Sequence, residues 1–142
     1  MRLNLAELEK PLPRISTLTQ PFWDAAANKK LVMQRCGSCD AFVWCPHPSC
    51  TECGSDHLEW TTVSGRGTIF SFTIVRQVTD RRGRGFENDV PYIVAWIDLD
   101  EGPRFCSNVV DCPIETIAIG MPVEVVFEET GGGIFLPKFR PR

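Results

Sequence analysis

The sequence has no long apolar run and little excess charge. None of its hydrophobic stretches approaches the ~20 residues that a membrane-spanning helix needs, so we expect no membrane segment. Residues 1–14 carry charges but no apolar stretch of the kind found in signal peptides, which favours a cytoplasmic protein. The formal net charge of −3 gives no general attraction to nucleic acid or to anionic membranes.

Histidine is also scarce. The two histidines, His47 and His57, lie in or near one cysteine-rich segment, far in sequence from the cysteines and serines of the C-terminal half. A nucleophile paired with a basic histidine is therefore hard to assemble, and we assign no catalytic residues. We expect no catalytic activity from the chain alone. Cys45 and Cys106 are interpreted as small buried residues.

Residues 36–53, CGSCDAFVWCPHPSCTEC, contain five of the seven cysteines. Four of them fall as two Cys-x-x-Cys pairs separated by ten residues. Two such turns brought face to face give a tetrahedral site of four thiolates, which Zn²⁺ prefers. Because protein would fill every coordination position, the site would be structural. The predicted zinc ligands are Cys36, Cys39, Cys50 and Cys53.

Other uses of the motif remain open at this point. Similar spacings serve redox-active dithiols, disulfides and iron sites. A thioredoxin-type motif should open a helix, whereas Pro46 and Pro48 favour turns here. Seven cysteines in two turns plus scattered single positions favour metal binding in a reducing compartment.

The chain before and through the motif predicts an arm, a helix and a small ribbon. Residues 1–18 read as an extended arm. Pro21 suits a first helical position, Asp24 would lie in the first turn, and Asn28 would end the helix. Residues 31–35 and 42–44 predict two short strands around the first cysteine pair. We divide the chain into an N-terminal arm and helix (1–30), a zinc ribbon (31–62) and a barrel domain (63–142).

From Ser64 onward the sequence predicts a five-stranded barrel. β-branched and aromatic residues dominate five segments that are separated by turn formers. Residues 111–120 predict a short helix between the third and fourth strands, with Pro113 in its first turn and Gly120 after its end. That order of elements is typical of the OB-fold, a small Greek-key barrel. The predicted strand segments are GTIFSFTIVRQV, YIVAWIDLD, RFCSNVV, MPVEVVFEE and IFLPKF.

Taken together, residues 20–141 resemble a known family. They are similar to the acyl-CoA-associated OB-fold proteins with a rubredoxin-like zinc ribbon, domain-of-unknown-function family 35. The segments that carry the resemblance are Phe22-Trp23, the four cysteines with Pro46 between them, Gly65-Arg66-Gly67-Thr68, Pro91-Tyr92, Leu99 to Arg104, Gly120-Met121-Pro122-Val123 and Leu136-Pro137-Lys138-Phe139.

The resemblance implies a function in acyl-CoA metabolism, with steroid or lipid side-chain degradation as one setting. Such proteins are non-catalytic accessory subunits of thiolase-superfamily enzymes (thiolases, aldolases or acyltransferases) or of MaoC-like hydratases. We therefore expect a thiolase-like or hydratase-like enzyme subunit as partner.

The sequence allows two further functions. Arg81, Arg82 and Arg84 share one Gly-rich loop and could contact the phosphates of acyl-CoA, although a solvated loop tip explains them as well. Zinc ribbons and OB-folds also bind single-stranded nucleic acid through basic, aromatic grooves. The acidic balance of this chain disfavours that alternative, and we expect no nucleic-acid partner.

Overall fold

The computed structural model describes residues 10–78 and 85–142. Within them the chain forms one α-helix, a three-stranded sheet and a closed five-stranded barrel. The predicted mainly β fold, with a helical N-terminal arm, a zinc-ribbon region and an OB-fold barrel, is confirmed.

Helix α1 (Gln20–Ala27) follows a segment without regular secondary structure at residues 10–16 and a turn at residues 17–19. Pro21 lies in its first turn and Asn28 caps its C-terminus, both as predicted. The helix begins one residue before the predicted start, so Asp24 lies beyond the first turn, which holds no acidic residue. Asp24 instead accepts a hydrogen bond of 2.7 Å from the Gln20 side chain one turn earlier, an ordinary i, i+4 pair.

The three-stranded sheet is the ribbon region, ordered β2-β1-β3. Its strands are β1 (Val32–Cys36), β2 (Phe42–Val43) and β3 (Leu58–Thr62). Both neighbours pair with β1 in antiparallel register, with Gln34 opposite Val43 on one side and Trp60 on the other. The sheet therefore delivers Cys36, at the end of β1, next to the turn that leads to β2.

The barrel consists of five strands that close in the order β4-β5-β6-β8-β7. The strands are β4 (Arg66–Val75), β5 (Tyr92–Leu99), β6 (Arg104–Val109), β7 (Pro122–Glu129) and β8 (Phe135–Pro141). Alternate residues of β5, from Ile93 to Leu99, face the core, as period-two alternation requires. The register of β4 against β5 shifts between Ile69 and Ser71, and this bulge bends the long first strand of the barrel.

The helix predicted between β6 and β7 does not form. Residues 111–120 contain turns instead. Both the main-chain N–H and the hydroxyl of Thr116 donate to the carbonyl of Pro113, at 2.9 and 2.8 Å. The next residues include the β-branched Ile117 and Ile119, which are weaker helix formers than alanine or leucine. Ile117 is buried in the core and Ile114 packs against it, but a single hydrogen-bonded turn does not by itself propagate a helix.

Two cysteines that were expected to be buried are exposed. Cys45 lies in the loop between the cysteine pairs, and Cys106 lies on the outer side of β6 opposite Trp96. Phe105 points into the core, so its neighbour Cys106 must point outward. Partial burial raises the pKa of the Cys106 thiol.

One hydrophobic core runs from the helix through the ribbon into the barrel. The ring of Phe22, in α1, lies 5.1 Å from that of Trp44, which follows β2, and Trp44 lies 4.9 Å from Phe105 of β6. Leu31 and Met33, at the ribbon's first strand, belong to the same buried cluster. The division of the chain at residues 30 and 62 stays a prediction, and the core crosses both boundaries.

Candidate metal centre

The structure brings the four predicted zinc ligands together. The sulfur atoms of Cys36, Cys39, Cys50 and Cys53 all lie within 4.8 Å of one another. Cys36 and Cys50 are buried, whereas Cys39 and Cys53 face solvent. Two cysteine pairs that are ten residues apart in sequence thus form one cluster at the tip of the ribbon sheet.

The spacing of the sulfur atoms fits a tetrahedral metal site. The Cys36 and Cys53 sulfurs are 3.6 Å apart, and so are those of Cys39 and Cys50. A tetrahedron with Zn–S bonds near 2.3 Å places its sulfurs about 3.8 Å apart. A disulfide would require about 2.05 Å, and all seven cysteines are free.

Main-chain N–H groups point at the sulfurs in both turns. The N–H groups of Ser38 and Cys39 donate to the Cys36 sulfur at 3.4 and 3.5 Å, and that of Glu52 donates to the Cys50 sulfur at 3.4 Å. The hydrogen bond from Cys39 is the main reason that the pKa of Cys36 falls to about 6, although desolvation opposes it. Both turns are therefore shaped to stabilise thiolates, the form that binds metal.

The neighbouring thiols also affect one another. The N–H of Ala41 favours the Cys39 thiolate, but desolvation and the three adjacent cysteines outweigh it and raise the pKa of Cys39 to about 12. Four thiolates cannot gather without a compensating cation, and a dication supplies that compensation. The donor set, spacing and N–H···S bonds all fit a metal ion of the zinc type.

Contacts between the two turns hold the cluster in place. The hydroxyls of Ser38 and Ser55, one from each turn, are 2.8 Å apart. The N–H of Gly37 donates to the carbonyl of His57 at 2.7 Å. Gly54 ends the second turn with φ of 77°, a conformation that costs glycine little.

Gln34 is a supporting residue that sequence reasoning missed. Its side chain is buried, donates to the carbonyl of His47 at 3.0 Å and accepts from the His47 N–H at 2.8 Å. This pair of bonds ties the loop between the cysteine pairs to β1. The available signal was a polar residue directly after the apolar run Leu31-Val32-Met33 in the predicted strand, since a polar side chain must find a partner when it is buried.

The remaining candidate residues lie elsewhere. The Nδ1 atom of His47 lies 2.8 Å from the carbonyl oxygen of Ser49, and His57 is exposed beside Asp56, so neither histidine belongs to the sulfur cluster. Arg81, Arg82 and Arg84, the predicted acyl-CoA contacts, lie outside the described residues. In the part of the chain that the structure describes, no helix is long and apolar enough to cross a membrane.

Comparison with known families matches both parts of the chain. Residues 23–59 match the family described as "ChsH2, rubredoxin-like zinc ribbon domain". Residues 60–128 match "ChsH2, C-terminal OB-fold domain". The two matches adjoin, and the ribbon match includes all four clustered cysteines.

Individual relatives agree with these matches. The probable enoyl-CoA hydratase alpha subunit of Thermomonospora curvata is 35% identical over 134 residues, which are 93% of this chain and 40% of that protein. A DUF35 domain-containing scaffold protein of Methanothermobacter thermautotrophicus is 34% identical over 119 residues, which are 79% of this chain and 86% of that protein. This chain thus spans well under half of the hydratase subunit but most of the scaffold protein.

A solved structure has the same arrangement of helix, ribbon and barrel. A chain of the "Ltp2-ChsH2(DUF35) aldolase" superimposes with a TM-score of 0.80 and 33% identity. The superposition covers 92% of this chain and 98% of that chain.

Proposed function

Because this chain belongs to the DUF35 family of proteins with a ChsH2-type zinc ribbon and OB-fold, we propose that it is a non-catalytic accessory subunit of an enzyme in acyl-CoA metabolism. The partner enzyme is an aldolase of the thiolase superfamily or a hydratase. The chain serves its partner as a scaffold that supports assembly or activity.

The observation that carries the proposal is the end-to-end match to a chain of an aldolase. That match includes the ribbon and the barrel in one superposition, so the relation of the two parts is retained along with each fold. The hydratase relative supports an enzyme of acyl-CoA metabolism as partner, since its name describes one subunit of an enoyl-CoA hydratase. The aldolase is the favoured partner, because the match covers 98% of the aldolase chain and only 40% of the hydratase subunit.

The metal in this proposal is a structural Zn²⁺ held by Cys36, Cys39, Cys50 and Cys53. With four protein ligands it would supply no Lewis-acid chemistry and would only fix the two turns. Fixing the ribbon would also affect the barrel, because Leu31 and Met33 of the ribbon pack in the same core as the barrel residues. Metal binding would thereby stabilise the surface that the partner recognises.

Direct contact with acyl-CoA is a separate part of the proposal. Arg81, Arg82 and Arg84, which follow β4 and precede β5 in sequence, would contact CoA phosphates. The test is binding of CoA to the wild-type chain and to a triple glutamine variant, measured by calorimetry. Equal affinities would remove these arginines from the proposal and leave the subunit function intact.

The nucleic-acid alternative has less support. Several basic side chains of the barrel are paired with acidic neighbours, with Lys138 2.9 Å from Glu128 and Arg140 3.1 Å from Glu124. Such pairs leave little net positive potential for a phosphate backbone. The test is binding of single-stranded DNA to the purified chain at rising salt concentration. Binding that is lost at moderate salt would be a nonspecific phosphate contact, whereas binding that persists would support the nucleic-acid alternative.

The decisive experiment is purification of the tagged chain from its native lysate, followed by mass spectrometry and an activity assay. We expect a stoichiometric aldolase-like or hydratase-like partner whose turnover of its acyl-CoA substrate falls when this chain is removed and returns when it is added back. A partner with full activity alone, or recovery of the chain without any enzyme, would contradict the proposal.

A further inference from the structure

A cleft separates the N-terminal arm from one end of the barrel. It consists of two adjoining chambers, a smaller one of about 240 Å³ and a larger one of about 590 Å³. The volume of the larger chamber lies within the usual range for small-molecule sites, roughly 300–1,000 Å³. Residues shared by both chambers are Lys10, Phe86, Asn108, Glu128 and Lys138.

The larger chamber is mainly apolar. The arm contributes Pro11, Leu12 and Pro13, and the β7–β8 hairpin contributes Leu136 and its glycine turn. Leu12 is about half exposed, at 47%, although it lines this chamber. A hydrocarbon segment placed here would cover apolar surface that the folded chain leaves open to water.

Two ammonium groups, those of Lys10 and Lys138, line both chambers. Lys138 Nζ donates to a Glu128 carboxylate oxygen at 2.9 Å, and its side chain is only 16% exposed, against 49% for Glu128. Lys10 pairs with Asp89 and lies 5.3 Å from the centre of the Phe86 ring. An ammonium group has three N–H donors, so one carboxylate contact leaves each lysine with donor capacity for a ligand.

The balance of charge limits the ligand. Two lysines face three acids, Asp89, Glu128 and Glu129, around the combined cleft. All three acids are more exposed than Lys138, so water screens them more strongly than it screens that lysine, whereas Lys10 is about as exposed as its partner Asp89. The excess of acids disfavours a dianion such as a phosphate monoester, and Lys138 is the group placed to hold a single carboxylate.

We propose that this cleft binds an amphipathic monocarboxylate, with its carboxylate at Lys138 and Lys10 and its hydrocarbon chain against Leu12, Phe86 and Leu136. The site is separate from the sulfur cluster and does not depend on the proposed enzyme partner.

The test uses decanoate as the probe and calorimetry on the zinc-loaded full chain. We expect saturable binding of one decanoate, with affinity that rises about fourfold for each CH₂ between hexanoate and decanoate, since each buried CH₂ contributes about 0.8 kcal/mol. Decanol, with the same chain and no charge, should bind at least about tenfold more weakly, because it loses a charge-assisted hydrogen bond.

Two variants on β8 provide a matched comparison. Lys138→Met removes the ammonium group from the cleft, and we expect it to weaken decanoate binding at least about tenfold. Arg140→Met removes a second basic residue that is likewise paired with a β7 glutamate, but Arg140 does not line either chamber. Its decanoate affinity should stay within about twofold of wild type.

Each other outcome would overturn the inference. No binding of decanoate up to about 1 mM would leave the cleft without this ligand class. Equal binding of decanol and decanoate, or equal loss in both β8 variants, would show that Lys138 does not recognise a carboxylate. The thermal midpoint of each variant shows whether it is folded. If Lys138→Met folds poorly, the chain-length series and the decanol comparison still test the proposal, because both use the wild-type protein.

Discussion

Replacing Phe22 by alanine tests whether helix, ribbon and barrel unfold as one unit. Phe22 is 5% exposed, and its ring lies 5.1 Å from Trp44 of the ribbon and 6.5 Å from Phe105 of the barrel. A buried Phe→Ala change costs about 4 kcal/mol through lost transfer energy and the cavity that remains. The cost falls at a place where all three parts meet.

The expected change in melting temperature follows from the chain length. An unfolding entropy of about 2.1 cal/mol/K per residue gives about 0.3 kcal/mol/K for 142 residues. A loss of about 4 kcal/mol therefore lowers the thermal midpoint by about 13 °C. Differential scanning calorimetry of the zinc-loaded protein measures this directly, and the wild type should show a single transition.

Phe70→Ala is the matched control. The Phe70 side chain is 47% exposed on the outside of the barrel, where the guanidinium of Arg104 lies 3.4 Å from its ring centre. Its removal should cost about 1 kcal/mol and lower the midpoint by about 3 °C. The reasoning fails if both variants melt alike, or if the wild type shows separate ribbon and barrel transitions.

Further predictions concern the metal site, the close contact between β4 and β5, and the buried glutamine. Cys50→Ser should abolish stoichiometric zinc in elemental analysis of the purified protein, whereas Cys45→Ser, in the same loop but outside the cluster, should retain it; zinc at full occupancy in the folded Cys50 variant would refute that ligand. Gly67→Ala should destabilise the barrel by about 2 kcal/mol in urea titrations, because its Cβ would collide with the β5 main chain, while Gly131→Ala, with open space around it, should change stability by less than about 0.5 kcal/mol. Gln34→Leu should cost about 2 kcal/mol and speed zinc loss to a chelator, because two main-chain partners in the loop lose their hydrogen bonds; an unchanged rate would show that the glutamine does not hold the loop.

The sequence alone was sufficient to predict the grouping of the four cysteines. A Cys-x-x-Cys turn is a local structure, since the positions of its two sulfurs depend on only a few consecutive dihedral angles. Glycines and strand-forming residues likewise marked the five barrel strands with local signals. The burial of Cys106 was mispredicted, although its adjacency to the core residue Phe105 already determined that it faces outward.

Only the tertiary structure decided features that depend on distant residues. Residues 111–120 have helix-like end signals, but they form turns, and Ile117 among them is buried in the core that the barrel strands build. Gln34 supports the loop only because pairing brings β1 alongside that loop. The cleft combines Lys10 and Leu12 with Phe86 and Lys138, and no local pattern links residues so far apart. Their meeting depends on barrel closure, in which β8 pairs with β7 and meets β6 in parallel, because strand register is a property of the whole sheet.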